Sequence, residues 1–165
     1  MKAVAFSGSP RQGGNTELMI QRLFSILEEN GIETELIQIG GNPMRGCTAC
    51  MKCYESKDAC CVLGTDDLNR YFTKMTEADA IILGSPTYFS DVTAEMKALI
   101  DRCGMLAKAN GDVLQRKIGA AVVAARRGGA IHTFDTLNHF FLISQMIVPG
   151  SSYWNIGLGR AEGDV

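Results

Sequence analysis

Short apolar runs alternate with segments of helical period along this chain. In the helical segments, apolar residues recur at spacings of three and four. They predict helices over Glu17–Glu29, Asp66–Glu77, Thr93–Met105 and Ile131–Gln145. The other apolar runs are rich in β-forming residues. They predict strands over Lys2–Phe6, Glu33–Ile39, Ala80–Leu83, Ile118–Ala124 and Ile147–Gly157. Such alternation of strands and helices is typical of an α/β fold.

Three of the predicted strands are apolar throughout and do not alternate with polar residues. They contain the runs Val4-Ala5-Phe6, Ala80-Ile81-Ile82-Leu83 and Ala120-Ala121-Val122-Val123. Strands of this kind are covered on both faces, as in a parallel sheet with helices on each side. Because 165 residues is the length of one domain, we expect residues 1–165 to form a single unit.

One segment interrupts the alternation after the second predicted strand. No period is visible between Gly40 and Thr65, and the cysteine-rich loop 43–64 within it holds five of the six cysteines. This connection is longer than strand-to-helix connections usually are, and long irregular insertions are typically functional or disordered. The cysteines favour a functional insertion. The Asp66-Asp67 pair that follows it is predicted to cap the next helix.

Composition narrows the class of protein. Apolar residues make up 46% of the chain and charged residues 21%, which is ordinary for a globular protein. A net charge of −2 gives no general attraction to nucleic acid or to an anionic membrane. No transmembrane stretch or signal peptide is visible, so we expect a cytoplasmic protein. Since disulfides are rare in that compartment, the cysteines need another explanation.

The polar segment Ser7–Thr16 joins the first strand to the first helix. At such a junction the unpaired N–H groups of the helix N-terminus can bind a phosphate. Hydroxyls and one guanidinium are available to bind it, at Ser7, Ser9, Thr16 and Arg11. The P-loop lysine and the G-x-G-x-x-G fingerprint are both absent, which favours the single phosphate of a mononucleotide. The alternative is an ordinary turn with Asn15 or Thr16 as the helix cap.

Two further loops are predicted to lie at the same edge of the sheet, because ligands of such folds bind beyond the carboxyl ends of the strands. In the loop Gly84–Asp91, Tyr88 and Phe89 could lie against a planar ring, and Pro86 and Thr87 would stiffen the backbone at its edge. Packing within the loop is the alternative for the two aromatic residues.

The loop Ala124–Ala130 follows the fourth predicted strand. Its two arginines and two glycines could place positive charge and backbone donors near a ring that gains negative charge on reduction. The residues concerned are Arg126, Arg127, Gly128 and Gly129. A solvated basic turn is the alternative.

The motif G-S-P-R-x-x-G-N-T from Gly8 to Thr16, the later G-S-P-x-Y from Gly84 to Tyr88 and the glycine-rich third loop resemble the flavodoxin-like NAD(P)H-dependent FMN reductases. The resemblance covers nearly the whole chain. It implies a flavodoxin-like, doubly wound, five-stranded parallel sheet and a homodimer or homotetramer with FMN at the subunit interface. It also implies roles for residues of all three loops. Ser9, Arg11, Asn15 and Thr16 would hold the FMN phosphate, and Pro86, Thr87, Tyr88, Phe89, Arg126, Arg127, Gly128 and Gly129 would contact the isoalloxazine.

The cysteine spacing C-x2-C-x2-C-x6-C can close around an iron–sulfur cluster, because the thiolates come from one tight loop. Within the family it resembles the iron–sulfur flavoprotein branch, which implies a 4Fe–4S cluster beside each FMN. The resemblance implies that its ligands are Cys47, Cys50, Cys53 and Cys60. Cys61 competes with Cys60 for the fourth position. A zinc site and a cluster-free reductase with free or redox-active cysteines are the alternatives.

The chain is therefore expected to be an FMN-containing oxidoreductase or electron-transfer flavoprotein, with NAD(P)H or a ferredoxin-like protein as electron donor. No catalytic side chain is expected, because the cofactors carry the chemistry. A cluster-free FMN or quinone reductase and a non-catalytic flavin-binding redox sensor are the alternatives. No helix pattern follows the fifth predicted strand to close the flavodoxin-like fold. Either a closing helix is missing from this sequence, or a partner subunit protects the uncovered face. A contiguous uncovered apolar face is the predicted interaction surface in the second case.

Overall fold

Five parallel strands form one sheet in the computed structural model, which describes residues 1–165. The strands are β1 (Lys2–Ser7), β2 (Glu33–Gln38), β3 (Ala80–Pro86), β4 (Ile118–Ala125) and β5 (Ile156–Leu158). Their order across the sheet is β2-β1-β3-β4-β5, which is the order of flavodoxin-like folds. This order reverses between β1 and β3, so a ligand crevice is expected at their carboxyl ends.

Helices cover the two faces of the sheet unequally. They are α1 (Asn15–Glu29), α2 (Lys52–Ser56), α3 (Leu68–Glu77), α4 (Ala94–Ala109) and α5 (Ala130–Ile143). The larger apolar core joins one sheet face, at Val4 and Phe6, to α3, α4 and α5. The smaller core joins Ala3 and Ala5 on the other face to α1. The predicted doubly wound flavodoxin-like sheet is thus confirmed, with the cysteines in the connection after β2.

The fifth strand is much shorter than the sequence pattern predicts. Ile147 makes an isolated parallel bridge to Ile118, and regular pairing with β4 resumes only at Ile156. Pro149 and Gly150 lie in the interruption, where proline has no N–H to donate and glycine does not favour extended backbone.

Helix ends also differ from the predicted ones. The helix α1 begins at Asn15, with Gly14 as its N-cap, so neither Asn15 nor Thr16 caps it. The helix α3 begins only at Leu68, after the predicted Asp66 start. The short α2 was not predicted, because five residues show no period. None of the helices combines the length and the apolar character that crossing a membrane requires.

A groove lined by residues of both α1 and α5 lies beside β4. This groove of about 780 Å³ borders Leu23 of α1, Ala120 of β4 and the segment 148–155. Tyr153 and Trp154 line it and are both more than half exposed. A partly apolar groove is therefore present beside β4, and its role as an interaction surface stays a prediction.

Candidate functional site

A pocket of about 370 Å³ lies beyond the carboxyl ends of β1, β3 and β4, where the strand order reverses. Pockets of this size can hold a small ligand. Its lining comes from the loops after β1, β3, β4 and β5. The residues are Ser9, Arg11, Gly14, Asn15, Thr16, Pro86, Thr87, Tyr88, Ala124, Ala125, Arg126, Gly159, Arg160, Ala161 and Glu162.

The structure brings most of the predicted site residues to this pocket. The residues that line it are Ser9, Arg11, Asn15, Thr16, Pro86, Thr87, Tyr88 and Arg126. The others predicted do not line it, and they are Ser7, Phe89, Arg127, Gly128 and Gly129.

Burial and exposure account for two of the residues outside the pocket. Ser7 is the last residue of β1, is completely buried and has a hydroxyl without a hydrogen-bond partner. Its carbonyl accepts hydrogen bonds from the N–H groups of Ile39 and Gly40. Phe89 is fully exposed at the tip of a tight turn closed by paired hydrogen bonds between Tyr88 and Asp91.

The first loop leaves backbone donors at the pocket wall. No side chain caps the N-terminus of α1, since its N-cap residue is Gly14. The first N–H groups of a helix have no partner within the helix, and the helix dipole adds positive character there. The Ser9 hydroxyl accepts a 3.2 Å hydrogen bond from the N–H of Arg11, which tightens the turn before the helix. This end of the pocket is suited to an anion.

Short backbone contacts hold the loops against one another. The Gly8 N–H donates to the carbonyl of Gly84 at 2.7 Å, and the Thr87 N–H donates to that of Ala124 at 2.9 Å. A Cβ on Gly8 would lie 2.7 Å from the hydroxyl of Thr93, so only glycine fits there without movement. The loops after β1, β3 and β4 therefore form one connected rim.

Residues after β5 complete the pocket, and sequence reasoning missed them. Gly159–Glu162 line it beside the first loop. The Asn15 side chain donates to the carbonyl of Ala161 at 2.9 Å and accepts from the N–H of Gly163 at 2.9 Å. The position of these residues directly after the fifth strand was the available signal, because all parallel strands end at the same edge.

Charge in the pocket is predominantly positive. Arg11, Arg126 and Arg160 line it, against a single carboxylate at Glu162. Guanidinium groups bind phosphate oxygens with two parallel hydrogen bonds. The pocket thus has the charge and the donors that a phosphorylated ligand needs, which is the fit expected for FMN.

A second site lies in the cysteine-rich loop, against the middle of α4. A recess of about 20 Å³ is lined by cysteines together with apolar residues and one arginine. The cysteines that line it are Cys47, Cys50, Cys53 and Cys61, whereas Cys60 does not. No three of the thiols are arranged to ligate a metal ion in this structure, so the cysteine side chains would have to rearrange to take one.

The backbone of this loop is strained. Ala49, Met51, Lys57 and Ala59 all have positive φ angles, between 51° and 61°. Residues with a Cβ rarely adopt this left-handed conformation, and such strain is concentrated at functional sites. The Ala49 N–H donates to the sulfur of Cys47 at 3.4 Å. A backbone hydrogen bond from Lys52 lowers the pKa of the Cys50 thiol, whereas burial raises the pKa of the Cys53 thiol.

A buried ion pair joins the cysteine-rich loop to α4. The Arg102 guanidinium donates to the carboxylate of Asp66 at 2.5 Å, and the two side chains are only 1% and 2% exposed. Burial acts to raise the pKa of Asp66, but the hydrogen bonds from Arg102 and from the N–H groups of Arg45 and Leu68, together with the Arg102 charge, outweigh it, and the pKa is lowered. Although Asp66 also accepts a hydrogen bond from the Leu68 N–H, its main partner is Arg102 and not the helix. The predicted capping role is thus secondary.

Known proteins of similar sequence include named iron–sulfur flavoproteins. One from Methanocaldococcus jannaschii is 41% identical over 171 residues, which cover 99% of this chain and 86% of that protein. Another, from Methanosarcina thermophila, is 36% identical over 168 residues, with the same coverage of each.

The fold has counterparts among solved structures. A flavodoxin from the domain Archaea superposes with a TM-score of 0.63 at 19% sequence identity, covering 99% of this chain and 88% of that one. The model of the family described as NADPH-dependent FMN reductase matches residues 1–161. With relatives of this similarity over its whole length, the chain belongs to the NADPH-dependent FMN reductase family of flavin-binding oxidoreductases.

Proposed function

We propose that this protein is an electron-transferring oxidoreductase that binds FMN in the pocket between the four loops. The observation that carries this proposal is the meeting of a phosphate-type loop, an aromatic loop and three arginines around one pocket at the switch point of the sheet. Membership of the FMN reductase family supports the same ligand.

The phosphate of FMN would lie at the N-terminus of α1. The uncapped helix offers backbone N–H groups, and Ser9, Arg11 and Thr16 line the wall beside them. Thr16 is only 2% exposed, which fixes its side chain against the pocket. Asn15, which the sequence assigns to the phosphate, would act mainly by holding the Ala161 segment in place.

The isoalloxazine would lie against Pro86, Thr87, Tyr88 and Arg126. The Thr87 hydroxyl accepts a 3.1 Å hydrogen bond from Thr133 of α5, so its side chain is oriented before any ligand arrives. The Arg126 guanidinium would stabilise negative charge on the reduced ring. The predicted contacts from Phe89, Arg127, Gly128 and Gly129 would require movement of the loop tips or a second subunit.

We further propose that the cysteine-rich loop holds a 4Fe–4S cluster on Cys47, Cys50 and Cys53, with Cys60 or Cys61 as the fourth ligand. Thiolate is the ligand such clusters require. Arg102 supports the assignment, because it lines the recess and its buried Nε atom has no hydrogen-bond acceptor. The sulfur atoms of a bound cluster would offer acceptors.

Bound FMN supplies a ring that exchanges electrons in pairs or singly, and a 4Fe–4S cluster supplies single-electron exchange. The residues of this chain would bind and orient these groups and tune their charge. On this proposal the cofactors carry the chemistry, and no side chain is required as a general acid or base. NAD(P)H or a ferredoxin-like protein would be the electron donor.

A cluster-free NAD(P)H-dependent FMN or quinone reductase is a second candidate function. The small recess and the absence of three thiols in ligating arrangement favour it. On this alternative the cysteines would be free or redox-active.

Anaerobic purification separates these functions. The expected protein shows flavin absorption with a broad shoulder from the cluster, and contains iron and acid-labile sulfide in equal amounts. Flavin without iron would establish the cluster-free reductase. A colourless protein that takes up neither FMN nor iron would contradict both. Steady-state oxidation of NADH and NADPH with an artificial acceptor then tests turnover, which a redox sensor would lack.

The assembly is proposed to be a homodimer or homotetramer in which the flavin pocket meets a second subunit. Phe89 is fully exposed and Tyr88 is 46% exposed beside the pocket, and exposed aromatic residues of this kind are enriched in interfaces. Light scattering coupled to size exclusion measures the mass in solution. A monomer at micromolar concentration would contradict the proposal.

A further inference from the structure

We infer that Cys61, and not Cys60, is the fourth ligand of the cluster site, and that Arg102 is the positioning residue that holds Cys61 there. This inference rests on the proposed cluster. It concerns the choice between two adjacent thiols, which sequence spacing alone leaves open.

The two thiols lie in different surroundings. Cys61 lines the recess together with Cys47, Cys50 and Cys53, is only partly exposed and packs against the main apolar core. Cys60 is exposed and borders no part of the recess. Only Cys61 therefore shares a cavity with the other three thiols.

The backbone of Cys61 is fixed on both sides by one side chain of α3. Asn69 accepts a hydrogen bond from the Cys61 N–H at 2.7 Å and donates to the Cys61 carbonyl at 3.0 Å. The Cys60 N–H is instead bound within the loop, to Asp58 two residues earlier at 3.0 Å. The backbone of Cys61 itself is thus bonded to α3, whereas the Cys60 N–H bonds only within the loop and the nearest bond to a helix end is that of the Ala59 N–H to Asn110.

Arg102 contacts the Cys61 sulfur directly. Its Nη2 atom donates to Cys61 Sγ at 3.4 Å and to the Leu63 carbonyl at 2.9 Å, while Nη1 donates to Asp66 and to the Arg45 carbonyl. The guanidinium of this α4 residue therefore links Cys61 by hydrogen bonds to Arg45, before the cysteines, and to Leu63 and Asp66, after them. A donor and a positive charge beside a ligand sulfur raise the reduction potential of the cluster.

Alanine substitutions distinguish the two thiols. Wild-type protein, Cys60→Ala and Cys61→Ala are each purified anaerobically and reconstituted with iron and sulfide. We expect Cys60→Ala to keep the iron, the sulfide and the EPR spectrum of the wild type, and Cys61→Ala to lose most of its iron and the 4Fe–4S spectrum. Retention of the wild-type cluster by Cys61→Ala, or its loss in Cys60→Ala, overturns the inference.

Substitutions of Arg102 test the positioning role. The double variant Arg102→Gln with Asp66→Asn removes both charges of the pair and so leaves no unpaired buried charge. We expect its cluster to have a more negative midpoint potential and to lose iron to a chelator about tenfold faster than the wild type. Arg102→Lys, which keeps the charge, should recover part of the potential. A wild-type potential and a wild-type rate of iron loss in the double variant overturn the role of Arg102.

FMN binding is the internal control for all of these variants. Thr93, the N-cap of α4, lies beside Gly8 of the first pocket loop. Arg102 lies nine residues further along α4, or roughly 14 Å along the helix axis, so its substitution should leave the affinity for FMN unchanged. Absence of a cluster from the wild-type protein would contradict the proposed function itself. If the wild-type protein holds a cluster that is lost in Cys60→Ala and kept in Cys61→Ala, only this inference would be contradicted.

Discussion

The side chain of Asn15 holds the segment after β5 against the start of α1. Its amide nitrogen donates to the carbonyl of Ala161 at 2.9 Å, and its oxygen accepts from the N–H of Gly163 at the same distance. The sequence motif assigns Asn15 to the phosphate. In the structure its hydrogen-bonding groups are already used by a segment 146 residues away, which thereby forms one wall of the pocket.

The variant Asn15→Ala should bind FMN more weakly, because the wall formed by Gly159–Glu162 would no longer be held. Two hydrogen bonds worth about 0.5–1.5 kcal/mol each are lost, which corresponds to roughly five- to a hundredfold in Kd. Quenching of flavin fluorescence measures this constant. Asn30→Ala is the matched control, since Asn30 also lies at α1 and bonds only the carbonyl of Ile26. Equal affinities of the two variants would contradict the role of Asn15.

The variant Arg11→Ala should lose affinity for FMN and keep its affinity for riboflavin, which lacks the phosphate. A charge-assisted hydrogen bond is worth about 1.5–3 kcal/mol, so a ten- to hundredfold increase in Kd is expected for FMN. This difference in Kd between the variant and the wild type should be smaller at high salt, because salt screens the charge of the guanidinium. Arg126→Ala should weaken the binding of both FMN and riboflavin, because Arg126 lies beside the proposed position of the ring that both ligands share. Arg22→Ala, on the exposed side of α1, should change neither. Equal losses for FMN and riboflavin in Arg11→Ala would place Arg11 away from the phosphate.

The sequence was sufficient to predict the sheet and most of the pocket, and the reasons are local. Continuous apolar runs such as Ala80–Leu83 mark strands buried on both faces, and the loops that follow them must meet at one edge. The short β5 could not be predicted, because Ile147 keeps a single bridge while Pro149 interrupts the strand. The bond between Asn15 and Ala161 joins distant parts of the chain, which no local pattern records.

The cysteine-rich loop shows the same limit. Spacing identified the cysteines as a group, but Cys60 and Cys61 differ only through contacts with α3 and α4. Arg102 is a single arginine in a helical pattern, and nothing in the sequence marks it as buried. Its burial follows from the position of Asp66, 36 residues earlier in the chain.

The variant Gly129→Ala should destabilise the protein and distort the rim of the pocket. Gly129 has a φ angle of +84°, and a Cβ there would lie 2.9 Å from the Cα of Ser90. We expect a loss of about 1–3 kcal/mol in the free energy of unfolding, measured by urea denaturation. Gly128→Ala is the matched control, because no atom lies within 4 Å of its Cβ position and its φ is not positive. Its effect should stay within about 0.5 kcal/mol. If the two variants are equally stable, the contact with Ser90 is not a constraint.

The variant Asp66→Asn should be strongly destabilised, since it leaves the buried Arg102 charge without its partner. Loss of one member of a buried pair costs about 3–5 kcal/mol. Asp67→Asn removes an exposed partner of Arg70 and should cost at most about 1 kcal/mol. The pKa of Asp66 is lowered in the folded protein, so its stabilisation is complete above the ordinary aspartate pKa of about 3.9 and is lost as the pH falls through the lowered value. The stability difference between wild type and Asp66→Asn, measured by denaturation from pH 7 downwards, should therefore narrow only below about pH 4. A difference that is constant across this range would show that the Asp66 carboxylate does not stabilise the fold through its charge.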